Sequence, residues 1–245
     1  VPVCETSTFA AGSFHKVMTI EATTIERIIA TTDGWNFISP PVSTTEPIGQ
    51  VAAQCNQMYR YEQSSGYVSV DTSAPAEAGT GLVSKCSADT TAITGTVAVL
   101  SLSVNEGWNL VAPTQDTIAV TDLESDPEGI VVTPFYGYEG TSGYVTAEQL
   151  VPDRSYWVKV SAAGTIGPGG TESKNLRQLA RSKNGEPTRL VVSDAKSQSR
   201  TLVLAEGPRP EEIESQSVPP PPPGDGLRVQ FESGSRLAGG GSYSL

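Results

Sequence analysis

The strongest constraint on this chain is that it states one pattern twice. Asp33-Gly34-Trp35-Asn36-Phe37-Ile38 returns as Glu106-Gly107-Trp108-Asn109-Leu110-Val111, an interval of 73 residues (107 minus 34). Tyr59-Arg60-Tyr61-Glu62-Gln63-Ser64-Ser65-Gly66-Tyr67-Val68 returns as Tyr136-Gly137-Tyr138-Glu139-Gly140-Thr141-Ser142-Gly143-Tyr144-Val145, 77 apart (143 minus 66). Lys85-Cys86-Ser87-Ala88 returns as Lys159-Val160-Ser161-Ala162, 74 apart (159 minus 85). Three islands in the same order mark a duplicated supersecondary unit.

Each unit reads as short strands punctuated by turns. Trp35, Phe37 and Ile38, and their counterparts Trp108, Leu110 and Val111, are expected to enter the core of a strand that follows the Gly-Trp-Asn turn. Tyr59-Arg60-Tyr61 and Tyr67-Val68 flank Gln63-Ser64-Ser65-Gly66 as a hairpin, repeated around Gly140-Thr141-Ser142-Gly143. Leu82 to Cys86 and Tyr156 to Val160 close the units. Lys16 to Ala22 alternates as a strand, Thr24 to Ala30 fits a strand or a helical turn or two, and Gly95 to Val104 reads as one long strand with a bulge at Val99-Leu100. Almost no helical periodicity is present, so the expected class is all-β: two duplicated units, sandwich- or barrel-like, and a third, incomplete β module. The expected domains are 1–92, 93–166 and 167–245, with a turn-rich linker over 163–175 leading into the last. In it, Thr188 to Asp194 and Ser199 to Ala205 form a strand pair, Pro219 to Pro223 a stiff polyproline II spacer, and Leu227 to Glu232 a last alternating strand.

Charge narrows the partners. Sixteen Lys and Arg against 27 Asp and Glu give a net charge of −11, the opposite of the basic face that phosphate backbones require. No apolar run reaches bilayer-spanning length. The start, Val1-Pro2-Val3-Cys4, reads as that of a processed chain or a fragment.

Of three cysteines, Cys55 lies four residues before Tyr59 and so matches Val132, and Cys86 matches Val160. A pair exchanged together suggests contact: a Cys55–Cys86 disulfide in one copy and a valine contact in the other, the alternative being two separate buried thiols. A disulfide implies an oxidising, extracytoplasmic location, with Cys4 left over.

Gly107-Trp108-Asn109-Leu110, Tyr138, Gly143-Tyr144 and Tyr156-Trp157-Val158-Lys159 resemble a repeat of large secreted and cell-surface bacterial proteins that reads "GWNLI…P…Y…GY…L…G…YWVK". The first unit departs at its end, where Leu82-Val83-Ser84-Lys85 stands for Tyr-Trp-Val-Lys. Leu190 to Phe231 resembles the β module that precedes C-terminal sorting signals in Bacteroidota-type secreted proteins, although no such signal is visible here. The resemblance implies a location and an architecture rather than a reaction.

Candidate chemistry is sparse. Asp122, Glu124, Asp126 and Glu128 alternate before Gly129 as calcium ligands do, but Pro127 stiffens the loop and no bidentate Glu follows at the right distance, so a solvated acidic loop is the expectation. Glu62 and Glu139 hold one repeat position and do not make a glycosidase pair. His15, the only histidine, has no partner for zinc or a triad. Tyr59, Tyr61, Tyr67, Tyr136, Tyr138, Tyr144 and Tyr156 could stack on sugar rings or pack across strands, and the duplication favours packing. The sequence therefore points to a non-catalytic extracellular fibre subunit, stalk or adhesin segment without a cofactor. Such a chain would self-associate or bind a neighbouring surface protein. The terminal regions, 1–30 or 176–245, would complete a sheet in the neighbour by strand addition, with Leu227, Val229 and Phe231 filling pockets, unless these strands pack within their own chain. The alternative is a carbohydrate-binding module of a secreted enzyme, with a glycan as ligand.

Overall fold

A computed structural model describes residues 23–97, 100–114, 116–140, 142–169, 187–195, 198–223 and 227–239. The Lys16–Ala22 strand, Cys4, His15 and residues 170–186 lie outside the described residues, and Gly164–Pro168, expected as the start of the linker, is a strand of the second unit instead. The fold is nearly all β, as the patterning indicates. The first unit contains β1 (Thr24–Thr31), β2 (Gly34–Ile38), a one-turn helix α1 (Ile48–Val51), β3 (Cys55–Glu62), β4 (Gly66–Ser69), β5 (Leu82–Cys86) and β6 (Asp89–Thr96). Its sheets run β2-β5-β3-β4 and β1-β6. Ile29, Ile38, Val51, Met58, Leu82 and Ile93 fill the space around them. The 24–30 segment resolves as a strand because alternate residues Ile25, Arg27, Ile29 and Thr31 turn inward while Ile28 stays exposed.

The second unit repeats this plan. It contains β7 (Leu102–Val104), β8 (Gly107–Val111), β9 (Ile118–Ala119), β10 (Leu123–Asp126), β11 (Tyr136–Glu139), β12 (Gly143–Thr146), β13 (Gln149–Leu150), β14 (Tyr156–Val160) and β15 (Gly164–Pro168). Its main sheet runs β8-β14-β11-β12, which is the order β2-β5-β3-β4 of the first unit. The hairpin registers also agree, Tyr61 facing Tyr67 as Tyr138 faces Tyr144. The opposing sheet, β10-β15-β7, gains β10 as a third strand.

The Gly-Trp-Asn signature has one physical explanation in both copies. Gly34 and Gly107 sit at φ +97°, where a Cβ is disfavoured. The Asn36 amide donates to the carbonyls of Thr32 (2.7 Å) and Gly34 (2.9 Å), and its oxygen accepts the Thr32 N–H at 2.8 Å. Asn109 repeats these bonds with Asn105 and Gly107. The asparagine thus satisfies the backbone groups of the turn that launches the strand.

Cys55 and Cys86 are bonded, 31 residues apart, as neighbours on β3 and β5. The repeat equivalence needs a correction. Val131, not Val132, pairs with Val160, while the Val132 N–H donates to the Lys159 carbonyl. Val131 lies five residues before Tyr136 where Cys55 lies four before Tyr59, so the second unit bulges by one residue more and counting back from the tyrosine misses by one.

Three further expectations change. Gly95 to Val104 is not one strand: β6 ends at Thr96 on β1 and β7 starts at Leu102 on β15, so strands of different units meet there. The acidic stretch is not a loop alone. Leu123, fully buried, anchors β10 and Asp126 ends it. Residues 227–231 form no strand, and Phe231 is 4% exposed in the core of its own module beside Leu202. That module pairs β16 (Thr188–Ser193) with β17 (Ser199–Ala205), adds helix α2 (Pro210–Ser215), and closes with β18 (Leu237–Gly239) parallel to β17.

Candidate functional site

From sequence, the tryptophans are expected to enter each unit's core and the tyrosines to pack across strands. In each unit, alternation sends one side of the main strands into that unit's own core. The other side carries the aromatic residues, and these two outer faces meet. Phe37, Val83, Tyr136 and Trp157 are buried in one shared cluster, with Trp35, Tyr61, Tyr67, Trp108, Leu110, Tyr138 and Tyr144 packed against it. Tyr61 of the first unit meets Trp157 of the second edge-on at 4.6 Å, and Tyr138, its repeat counterpart, stacks on Phe37 at 4.9 Å. Both units contribute rings to the seam, but the contacts are not equivalent under the repeat, since Val83 stands where the second unit has Trp157 and Leu110 where the first has Phe37. Trp35 and Trp108 are half-buried in the seam rather than in the separate cores, which corrects the expectation that they enter them. Trp157, where the first unit has Val83, is fully buried at its centre.

Backbone bonds fix the seam's register. The Ser39 N–H donates to the Asp153 carbonyl (2.9 Å), and the Ser155 N–H to the Phe37 carbonyl (3.2 Å). The Gln63 side chain donates to the carbonyls of Asn105 (3.0 Å) and Trp108 (3.3 Å). Asp153 sits at φ +75°, where the first unit has Gly79 at +80°. Burial raises its carboxyl to about 6, offset in part by the Arg154 charge and the Ala30 amide.

One rim of the seam carries the third module. The hydroxyls of Tyr67 and Tyr144, counterparts in the repeat, both donate to the carbonyl of Pro220, the former at 3.1 Å. Burial raises both phenols far above their ordinary range, so they remain donors throughout the neutral range. Tyr136 donates to the Ser215 carbonyl at 3.5 Å, Lys159 pairs with Glu214 at 3.3 Å, and the Arg236 guanidinium lies 5.5 Å over the Tyr136 ring. The five-proline run thus lies against protein, where the sequence suggested a free spacer.

The other sequence-derived sites stand apart from the seam. Glu124 and Asp126 lie on β10, paired with Gly167 and Thr165, with Asp122 before the strand and Glu128 after it. Alternate residues of a paired strand are about 7 Å apart, unlike the turning loop that wraps a hard cation. Among the described residues, no group of three His, Cys, Asp or Glu is placed to hold a metal ion. Leu227 and Val229 are half-buried and Phe231 is buried, so the three do not form one open face. Glu62 pairs with Arg60 at 2.8 Å on the surface of β3. Tyr61, Glu62, Gln63, Trp108 and Asn109 line a shallow open groove where the units meet. Among the described residues, no helix is long and apolar enough to cross a membrane. No protein-family model matches the chain, and neither a curated protein nor a solved structure matches it.

Proposed function

We propose that this chain is a non-catalytic, extracellular structural segment of a bacterial surface protein, a spacer in a stalk, fibre or adhesin that joins neighbouring copies. The observation that carries this reading is the aromatic seam. Side chains that could have formed a sugar platform are used to hold two repeats as one body, which suits a part that transmits force or sets a distance. The Cys55–Cys86 disulfide supports an oxidising compartment, and the resemblance of the Gly-Trp-Asn and Tyr-Trp-Val-Lys signatures to cell-surface repeats supports the same location. The edge suited to strand addition is β16, not the 227–231 segment. It is the outer strand of its sheet, with Leu190 40% and Val191 60% exposed.

Sedimentation velocity across a concentration series, with electron microscopy of the largest species, tests this reading. Concentration-dependent oligomers that vanish in Leu190→Lys/Val191→Lys are expected, and a wild-type chain that stays monomeric at high concentration would sink strand addition. The alternative, a carbohydrate-binding module, draws on the groove beside Tyr61 and Trp108. A glycan array with Trp108→Ala as control decides it: sugar-dependent retention lost in that variant would favour the module.

A further inference from the structure

We propose that the rim of the aromatic seam is a receptor for polyproline II segments, occupied here in cis by residues 218–223, and that it takes the same segment from a second copy of this chain. This goes beyond the structural role above and does not depend on it.

Three observations carry the proposal. First, the two donors on Pro220, Tyr67 and Tyr144, come from equivalent positions of different units. The site is composite and exists only where the seam brings both halves together. Second, Pro219 and Pro222 are buried while Pro220, Pro221 and Pro223 are half-exposed. A spacing of three is the repeat of a polyproline II helix, so one edge of the run is turned into protein beside the carbonyl that both tyrosines hold. Third, the chemistry is complementary. A run of prolines offers carbonyl acceptors and no N–H donors, so its receptor must supply donors and flat apolar surface. The two half-buried phenols supply the first, and the aromatic rings at this rim are placed to supply the second.

The second copy follows from how the ligand is tethered. The receptor lies within residues 23–169, and the segment belongs to the module that begins at Pro187. Seventeen residues lie between Gly169 and Pro187 (187 − 169 − 1), enough for a reach of about 55–60 Å when extended. The segment is therefore not confined to its own receptor. Tethering gives it an effective concentration on the order of millimolar, so cis occupancy dominates in dilute solution and exchange is expected at high local concentration.

The test uses the full chain. Pro219→Ser/Pro222→Ser empties the receptor, and a fluorescein-labelled peptide of sequence Ser-Val-Pro-Pro-Pro-Pro-Pro, residues 217–223, is the probe. Fluorescence anisotropy should show saturable binding to this variant and at least tenfold weaker binding to the wild type, whose own segment competes. Adding Tyr67→Phe/Tyr144→Phe to the emptied variant should weaken peptide binding at least tenfold. Should the double serine variant lose its circular-dichroism signature, a Gly-Ser replacement of residues 219–223 at equal length serves as the acceptor. A folded acceptor that does not bind the peptide, or one indifferent to loss of both hydroxyls, overturns the receptor. For the second copy, the emptied variant is mixed at high concentration with Tyr67→Phe/Tyr144→Phe, whose segment is the donor. Both variants carry Leu190→Lys/Val191→Lys so that the β16 edge does not contribute. A heterodimer in sedimentation, absent from either variant alone, is expected, and a mixture that remains monomeric overturns exchange between copies.

Discussion

Asn36 and Asn109 show how one side chain can specify a turn. Each makes three bonds to the backbone around a glycine at φ +97°. Asn36→Ala and Asn109→Ala should each cost about 1–3 kcal/mol in urea unfolding, because backbone groups lose their partner along with the amide. The cost should be larger for Asn36, which is buried where Asn109 is half-buried. Asp153 works in the other direction. Its folded value of about 6 lies above the ordinary 3.8, because burial disfavours the charged form. Between those values the folded chain holds more protons than the unfolded one, so stability falls as pH rises from about 4 to 6 and stays low above that. Asp153→Asn keeps a residue tolerant of positive φ and removes the charge. Urea midpoints measured from pH 4 to 7 should show the variant more stable than wild type at pH 7, with the difference shrinking toward pH 4. An unchanged difference across that range would contradict the assignment.

Among the elements, β3 and β5 carry the disulfide where the second unit has Val131 and Val160. Closing a 31-residue separation contributes about 3–4 kcal/mol by the chain-entropy relation. Cys55→Val/Cys86→Val, which installs the second unit's solution, should lower the calorimetric Tm of the oxidised protein. A reductant should lower the wild type and leave the variant unmoved. The repeated islands made the duplication, the hairpins and this pair of cysteines legible, since each is set by local turn chemistry or by direct comparison of two copies. Other features depend on distant partners. The acidic stretch 122–128 reads as a loop because its carboxylates dominate, yet one buried leucine, Leu123, docks it as a strand. Leu227 to Phe231 alternates as a strand should, but Phe231 is buried in a core with Val229 packed against it, and the short Leu237–Gly239 takes the place beside β17. The proline run reads as a spacer because its lack of N–H groups is visible in sequence, whereas the two tyrosines that seek its carbonyls are about 75 and 150 residues away.

For the whole molecule, the seam is the decisive feature, and it was half legible. Alternation shows that Tyr59, Tyr61, Tyr136 and Tyr138 share strand faces, but a single strand cannot show that the covering surface is another copy of the same unit. Burial of Trp157 between the units is what should make the two repeats unfold as one body, on which the proposed spacer role rests. Native-state hydrogen exchange followed by mass spectrometry tests this most directly, comparing wild type with Trp157→Leu. In the wild type, the slowest amides of β3 and β5 should open with the same free energy as those of β11 and β14. In the variant, protection should fall in both units, although the substitution lies in the second. Wild-type units that open with clearly different free energies, together with a first unit indifferent to Trp157→Leu, would show two independent domains and contradict the shared seam.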